Sequence, residues 1–316
     1  MSARVNARTH DRRSPAGGLI RGARRPTGWA VPGPVPAAEA PPGAGVEALW
    51  PREDEDLCWL AGHWRILQRR DGHRFSLDDL VTAEMAARLH AAEGAPGAGA
   101  RFLDLGCGIG TVLLFLAWRF PEAEVTGIEA QTLSAGLARR SIAWNGVTER
   151  CSVLDGDLRD LSGRGTPHRN EALLPDGARF ELITGTPPYF ARGEGTESDR
   201  VQRAPCRFEH RGGLADYCVA AAGRLADTGA FVACAAAGQF AEVEPAAAAA
   251  GLAVERWREI IPRAGKSPLL ATFSLRPAAR VARRIDEPAL TVRDVAGQWT
   301  REFLRVRAAM GMPPPP

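Results

Sequence analysis

From residue 101 onward, short aliphatic and β-branched runs alternate with longer stretches in which apolar residues recur every three or four positions. The short runs are 101–105 (RFLDL), 124–128 (EVTGI), 151–154 (CSVL), 180–185 (FELITG), 229–235 (GAFVACA), 252–257 (LAVERW) and 268–275 (PLLATFSL). Each reads as a strand. Between them, 110–119, 132–144, 214–226 and 239–250 carry helical spacing. Strand–helix alternation of this kind predicts parallel strands joined by right-handed crossovers. No helix separates the last two strands, so an antiparallel hairpin is expected at the sheet edge. The predicted fold is α/β: a doubly wound, mainly parallel, seven-stranded sheet.

Upstream, the pattern is less regular. Residues 57–69 (LCWLAGHWRILQR) carry helical spacing, with a short strand around Trp64–Leu67 as the alternative. Residues 76–92 predict a helix, opened by a capping-box pair, Ser76 and Asp79. GAPGAGA at 94–100 is a flexible joint. The expected organisation is a disordered tail over 1–48, a lead-in over 49–100 and the sheet domain over 101–276. A strand and basic helix follow over 277–316, with a disordered end. Two long loops are expected at 162–178 and 190–213.

The formal charge of +3 changes meaning once the tail is removed. The first 45 residues hold seven arginines against Asp11 and Glu39, and the remainder carries 33 basic and 35 acidic residues. The body is therefore near neutral and gives no global argument for nucleic acid. The tail has the arginine content of a transit peptide, but its Pro and Gly density spoils an amphipathic helix, so a solvated tail is expected. Six scattered cysteines contain no Cys-x-x-Cys pair, and six histidines show no metal spacing. They predict reduced thiols, no metal and a cytoplasmic setting. No run of eighteen apolar residues occurs, so no membrane partner is expected.

The candidate chemistry lies in 102-FLDLGCGIGTVLL-114, a glycine-rich turn between a predicted strand and helix. Gly106, Gly108 and Gly110 let backbone approach a ligand closely, at a helix start that favours negative or polar groups. Thr at 111 breaks the dinucleotide spacing G-x-G-x-x-G. Asp104, two residues before the first glycine, would repel a pyrophosphate but suits an ammonium. Glu129 ends the second strand and can accept both hydroxyls of a ribose; Asp157 follows the third and can meet an adenine amino group. A ligand with adenosine, two ribose hydroxyls and an amino-acid tail fits all three carboxylates: S-adenosylmethionine.

With these residues in order, the chain resembles the class I S-adenosylmethionine-dependent methyltransferases. The resemblance is closer still to the bacterial tRNA(Val) adenine-N6 methyltransferases. The resemblance spans roughly 57–305 and includes 65-RILQRRDGHRFSLDDLVTAEMA-86, the turn TPPYF and the tail segment ALTVRDVAGQWTREF. It implies that Gln68, Phe75 and Asp78 border the cofactor pocket with Asp104, Gly106, Gly108, Gly110, Glu129 and Asp157. It also implies that Thr186, Pro187, Pro188 and Tyr189 form the catalytic turn. The family has Asn or Asp where this chain has Thr186. In the family that side chain and the next proline's carbonyl accept hydrogen bonds from the substrate amine, while the Tyr face stacks on the base.

The expected activity is methyl transfer to an exocyclic amino nitrogen, adenine N6 in tRNA or another structured RNA, by a monomer or weak homodimer. Two alternatives stand beside it: an N-methyltransferase of a protein glutamine or a small amine, and a non-catalytic S-adenosylmethionine-binding module made inert by Thr186. Arg263, Lys266 and the arginines of the last helix (Arg301, Arg305, Arg307) are candidate phosphate contacts; as a plain alternative, that helix simply packs Trp299, Phe303 and Leu304 on the sheet.

Overall fold

A computed structural model describes residues 49, 51–92, 99–162, 173–188 and 212–312. The N-terminal tail, most of the two long loops and Tyr189 lie outside the described residues.

The first element corrects the sequence reading. Residues 57–69 form no helix; β1 (Glu55–Trp59) and β2 (Arg65–Arg69) make an antiparallel hairpin. Its turn uses Gly62 at φ 53°, a left-handed position that favours glycine. The strands win because a helix lies ready to receive them. Asn145 accepts from the Arg65 N–H (2.9 Å) and donates to the Arg65 carbonyl (2.8 Å). The Ser141 hydroxyl accepts from the Leu67 N–H (3.0 Å). Such long-range partners override local helical spacing.

Helix α1 (Leu77–Ala92) follows. The Ser76 N–H donates to the Asp79 carboxylate (3.0 Å), the carboxylate half of the expected capping box. The Ser76 hydroxyl, however, turns to Asp78.

The main sheet comprises β3 (Arg101–Leu105), β4 (Glu124–Glu129), β5 (Cys151–Asp155), β6 (Phe180–Gly185), β7 (Leu225–Ala236), β8 (Leu252–Ile261) and β9 (Leu270–Pro277). Two two-residue strands, β10 (Ile285–Asp286) and β11 (Leu290–Thr291), pair with β8. The order is β10-β8-β9-β7-β6-β3-β4-β5, with β9 alone antiparallel to its neighbours. This is the expected doubly wound sheet, with the antiparallel hairpin of β8 and β9 at one end of it, flanked only by the short β10 and β11. Helices α2 (Thr111–Arg119), α3 (Thr132–Trp144), α4 (Leu214–Ala222), α5 (Phe240–Ala249) and α6 (Arg301–Ala309) complete the fold. Helix α4 stops at Ala222, four residues short of expectation, because β7 begins early: Leu225 pairs with Phe180, and Ala226–Gly229 form a bulge before pairing resumes at Ala230.

The sheet is buried on both faces, as a parallel sheet requires. Along β7, Val232 and Cys234 face a core shared with α1, α2, α3, the hairpin and α6. Phe231, Ala233 and Ala235 face α4 and α5. Every crossover therefore delivers its loop to one edge of the sheet, the carboxyl ends of β3, β4, β5, β6 and β7.

Candidate active site at the carboxyl edge of the sheet

Strand β3 ends in the glycine-rich loop, which the backbone holds tightly. The Cys107 N–H donates to the Ile128 carbonyl of β4 (3.0 Å), and the Gly110 N–H to Cys107 (2.8 Å). Gly106, Gly108 and Gly110 all have positive φ: 59°, 55° and 85°. Their free sides differ. A Cβ on Gly106 would stand 2.2 Å from the Tyr217 hydroxyl, and one on Gly110 would stand 3.1 Å from the Ala138 methyl. A Cβ on Gly108 would meet nothing within 4 Å. Gly106 and Gly110 are thus glycines for packing, and Gly108 is the one whose open side faces a cleft.

That cleft encloses about 850 Å³, open solvent at its mouth included. Of the residues anticipated from sequence, Asp78, Gly106, Gly108, Glu129, Asp157, Thr186, Pro187 and Pro188 line it. Glu129 is nearly buried and orients the loop, accepting from the Gly108 N–H (2.8 Å) on one oxygen and the Gln131 N–H (2.6 Å) on the other. Asp157 is held by Arg159 through its N–H, Nε and Nη2 at 3.0, 2.9 and 2.6 Å. Pro187 and Pro188 are buried, while Thr186 is half-buried at the end of β6.

Four anticipated residues do not line the cleft. Asp104 points inward: it accepts from Thr184 Oγ1 of β6 (2.8 Å) and from the Leu113 N–H of α2 (3.2 Å). It clasps the glycine loop to the neighbouring strand. Burial, opposed by these hydrogen bonds and aided by Glu129, raises its carboxyl to about 7. Gln68 is likewise internal, its side chain accepting from the Phe75 N–H (2.9 Å) to fix the chain entering α1. Phe75 packs against the core, and Gly110 caps α2.

The cleft adds residues the sequence did not single out. His73 and Asp79 reach it from the start of α1, and Tyr217 reaches it from α4. Asp79 is buried and its carboxyl is raised, by burial first and then by Asp78. A Cβ on Gly185 would fall 2.7 Å from the Tyr217 ring, so this tyrosine wedges between the ends of β3 and β6. Gln239 lies beyond the wall: its Nε2 donates to the Pro188 carbonyl (3.1 Å), while its oxygen accepts from Ala236 (3.3 Å). It ties the proline turn to the end of β7. Only the tyrosine carried a signal, being one of two in the chain.

The arrangement fits S-adenosylmethionine. Asp78 and Glu129 line one cleft with the Arg159-paired Asp157, a lining that favours a cationic ligand over a pyrophosphate. The open side of Gly108 admits a ligand against the backbone.

The comparisons agree. Residues 102–168 match the family model described as "Methyltransferase domain". This chain carries a class I S-adenosylmethionine-dependent methyltransferase domain. The tRNA1(Val) (adenine(37)-N6)-methyltransferase of Porphyromonas gingivalis is 39% identical over 88 residues, 28% of this chain and 31% of the relative. The release factor glutamine methyltransferase of Bordetella pertussis is 33% identical over 119 residues, 38% of this chain and 37% of the relative. The match thus spans about a third of the length of each of these curated relatives. A crystal structure described as a predicted O-methyltransferase from Agrobacterium tumefaciens superposes with a TM-score of 0.55 at 22% identity, covering 75% of this chain and 98% of that one. The likeness is one of fold. S-Adenosylmethionine is the methyltransferase domain's cofactor, and it supplies an electrophilic methyl group on a sulfonium.

Proposed function

We propose that this protein methylates an exocyclic amino nitrogen, adenine N6 in tRNA or another structured RNA. The observation that carries the reading is the turn Thr186-Pro187-Pro188, which lines the same cleft as Gly108, Glu129 and Asp157. An amine conjugated to a ring is a weak nucleophile because its lone pair is shared with the ring. The Thr186 hydroxyl and the Pro187 carbonyl are acceptors for its two N–H groups, and holding both turns the lone pair toward the methyl donor. No described residue donates to the Pro187 carbonyl. Rigidity comes from the two prolines and from Gln239, which fixes the Pro188 carbonyl. Positioning and fixed dipoles supply the acceleration, and the proton leaves to water after transfer. Tyr189, outside the described residues, is the stacking wall implied by the resemblance.

A second reading, methylation of a protein glutamine, is favoured by the similarity to a release factor glutamine methyltransferase. The deciding experiment transfers labelled methyl groups to small RNA from cells lacking this protein and digests the product to nucleosides. Labelled N6-methyladenosine that disappears with Tyr189→Ala supports the proposal. Label entering release factor but not RNA moves the activity to glutamine. Thr186→Asn adds a check: a gain from nothing means that Thr186 had silenced the site.

A further inference from the structure

The turn between β8 and β9 and the loop following β11 stand at the same sheet edge as the proline turn. Ile260 pairs with Leu270, and Leu270 pairs with Ala236 at the end of β7. The Ala237 N–H donates to the Leu269 carbonyl (3.1 Å), two residues from Gln239, which holds Pro188. Leu290 and Thr291 run parallel to Ile260 and Ile261, and Ala264 bonds the Arg293 carbonyl (2.7 Å). The two loops are therefore one surface, continuous with the acceptor turn.

That surface is cationic. Arg263, Lys266, Arg293 and Arg301 are all exposed on it. Among the described residues none of the four forms an ion pair with a carboxylate. The nearby acid, Asp294, is occupied by the Gln298 N–H (2.9 Å). Between the charges lie two exposed aliphatic side chains, Leu269 (52% exposed) and Val295 (82%). Other cations of the body do have carboxylate partners, as Arg88 and Arg256 have in Glu287 and Arg140 has in Glu55. Four cations without a carboxylate partner, Arg293 among them held by the Gly297 carbonyl (2.7 Å) and the Trp299 ring, make a local patch in a near-neutral body, and its place beside the acceptor turn gives it a partner.

We propose that this shelf docks the phosphodiester backbone of the RNA whose base enters the cleft; the inference rests on the RNA reading above and names the surface that reading lacks. Strands lie about 4.8 Å apart, so β9 and β8 stand about 10 and 14 Å from β6, a reach of about two nucleotides. The cations would contact phosphates and the aliphatic side chains sugar or base faces, giving register rather than sequence readout.

The test is the double variant Arg263→Glu/Lys266→Glu in the full chain, with fluorescent small RNA titrated at several potassium chloride concentrations. Removing two contacts to single-stranded phosphate lowers the slope of log affinity against log salt by about 1.4. At least a tenfold loss of RNA affinity is expected, with S-adenosylmethionine affinity unchanged. Unchanged RNA affinity and slope in a variant that still binds the cofactor would overturn the inference, as would failure of the wild type to bind RNA. Should the double variant not fold, Lys266→Glu alone, at the exposed turn tip, lowers the slope by about 0.7. RNA binding without methyl transfer would remove the proposed function and leave the shelf standing.

Discussion

Replacing Asp104 by Asn should remove a pH-dependent loss of stability. In the folded chain this carboxyl titrates at about 7 instead of 3.8, because burial penalises its charge more than Thr184 and Leu113 stabilise it. Between those values the folded protein holds a proton that the unfolded chain has lost. The unfolded state therefore binds fewer protons, and stability falls as pH rises from about 4 to about 7, then levels. At about 1.4 kcal/mol per pH unit the loss amounts to about 4 kcal/mol. Asn cannot ionise, yet its oxygen can accept from Leu113 while its amide donates to a rotated Thr184 hydroxyl. Equilibrium unfolding in urea at closely spaced pH values from 4.5 to 8.5, without cofactor, gives both curves. Over this range the advantage of Asp104→Asn should be least at pH 4.5 and should grow by about 3 kcal/mol by pH 8. Parallel curves would refute the argument: the other carboxyls are present in both proteins, and Asp79, which the Asp104 charge helps to raise, shifts only by that smaller contribution. A cationic ligand favours the ionised form, so cofactor affinity of the wild type should also rise through pH 7, and that of the variant should not.

Three further changes probe the site's supports. Gly106→Ala combines a left-handed φ with a Cβ 2.2 Å from the Tyr217 hydroxyl; it should cost about 3 kcal/mol, and adding Tyr217→Phe should recover the steric part but not the ~1 kcal/mol of backbone strain. A double-mutant cycle by denaturant unfolding reads the recovery. Gln239→Ala leaves the buried Pro188 carbonyl without its donor and should slow methyl transfer by about tenfold, ~1.4 kcal/mol, in single-turnover assays while cofactor affinity holds. Asn145→Ala breaks the two bonds to Arg65 and one to Ser141 (2.9 Å); a loss of about 3 kcal/mol should appear in unfolding, and hydrogen exchange should quicken first in β1 and β2.

How far the sequence speaks depends on whether a residue's partner is near in the chain. Strands 101–105 and 180–185 match β3 and β6 because their apolar runs end in glycine or proline, signals that act locally. Of the hairpin only its second strand was legible, as the alternative at Trp64–Leu67, because Asn145 and Ser141, 80 and 74 residues from their partners, decide between helix and strand. The glycine loop and Glu129 were visible through spacing, whereas the direction of Asp104 depends on Thr184, 80 residues on in another strand. Nothing in AAAGQF identifies Gln239 as the clamp on Pro188. Lys266 and Arg263 could be named from sequence, but only the order β8-β9-β7-β6 puts them beside the acceptor turn.

The same strand order resolves an electrostatic conflict in the proposed reaction. A cationic cofactor needs carboxylates, and a polyanionic substrate is repelled by them. Glu129 ends β4, whereas the cationic shelf hangs from β9 and β8; four strand steps, about 19 Å, separate β4 from β9. That is more than twice the screening length of about 8 Å at physiological ionic strength, so neither pole cancels the other. The acceptor turn at the end of β6 stands between them. Gln239 reaches it from the shelf's side, and Thr184 on the same strand reaches Asp104 on the cofactor's side. In the proposed reaction an amine leaving the cationic pole for the acidic one would meet the Thr186 and Pro187 oxygens at the boundary, which is where a neutral nucleophile must face a cationic methyl donor.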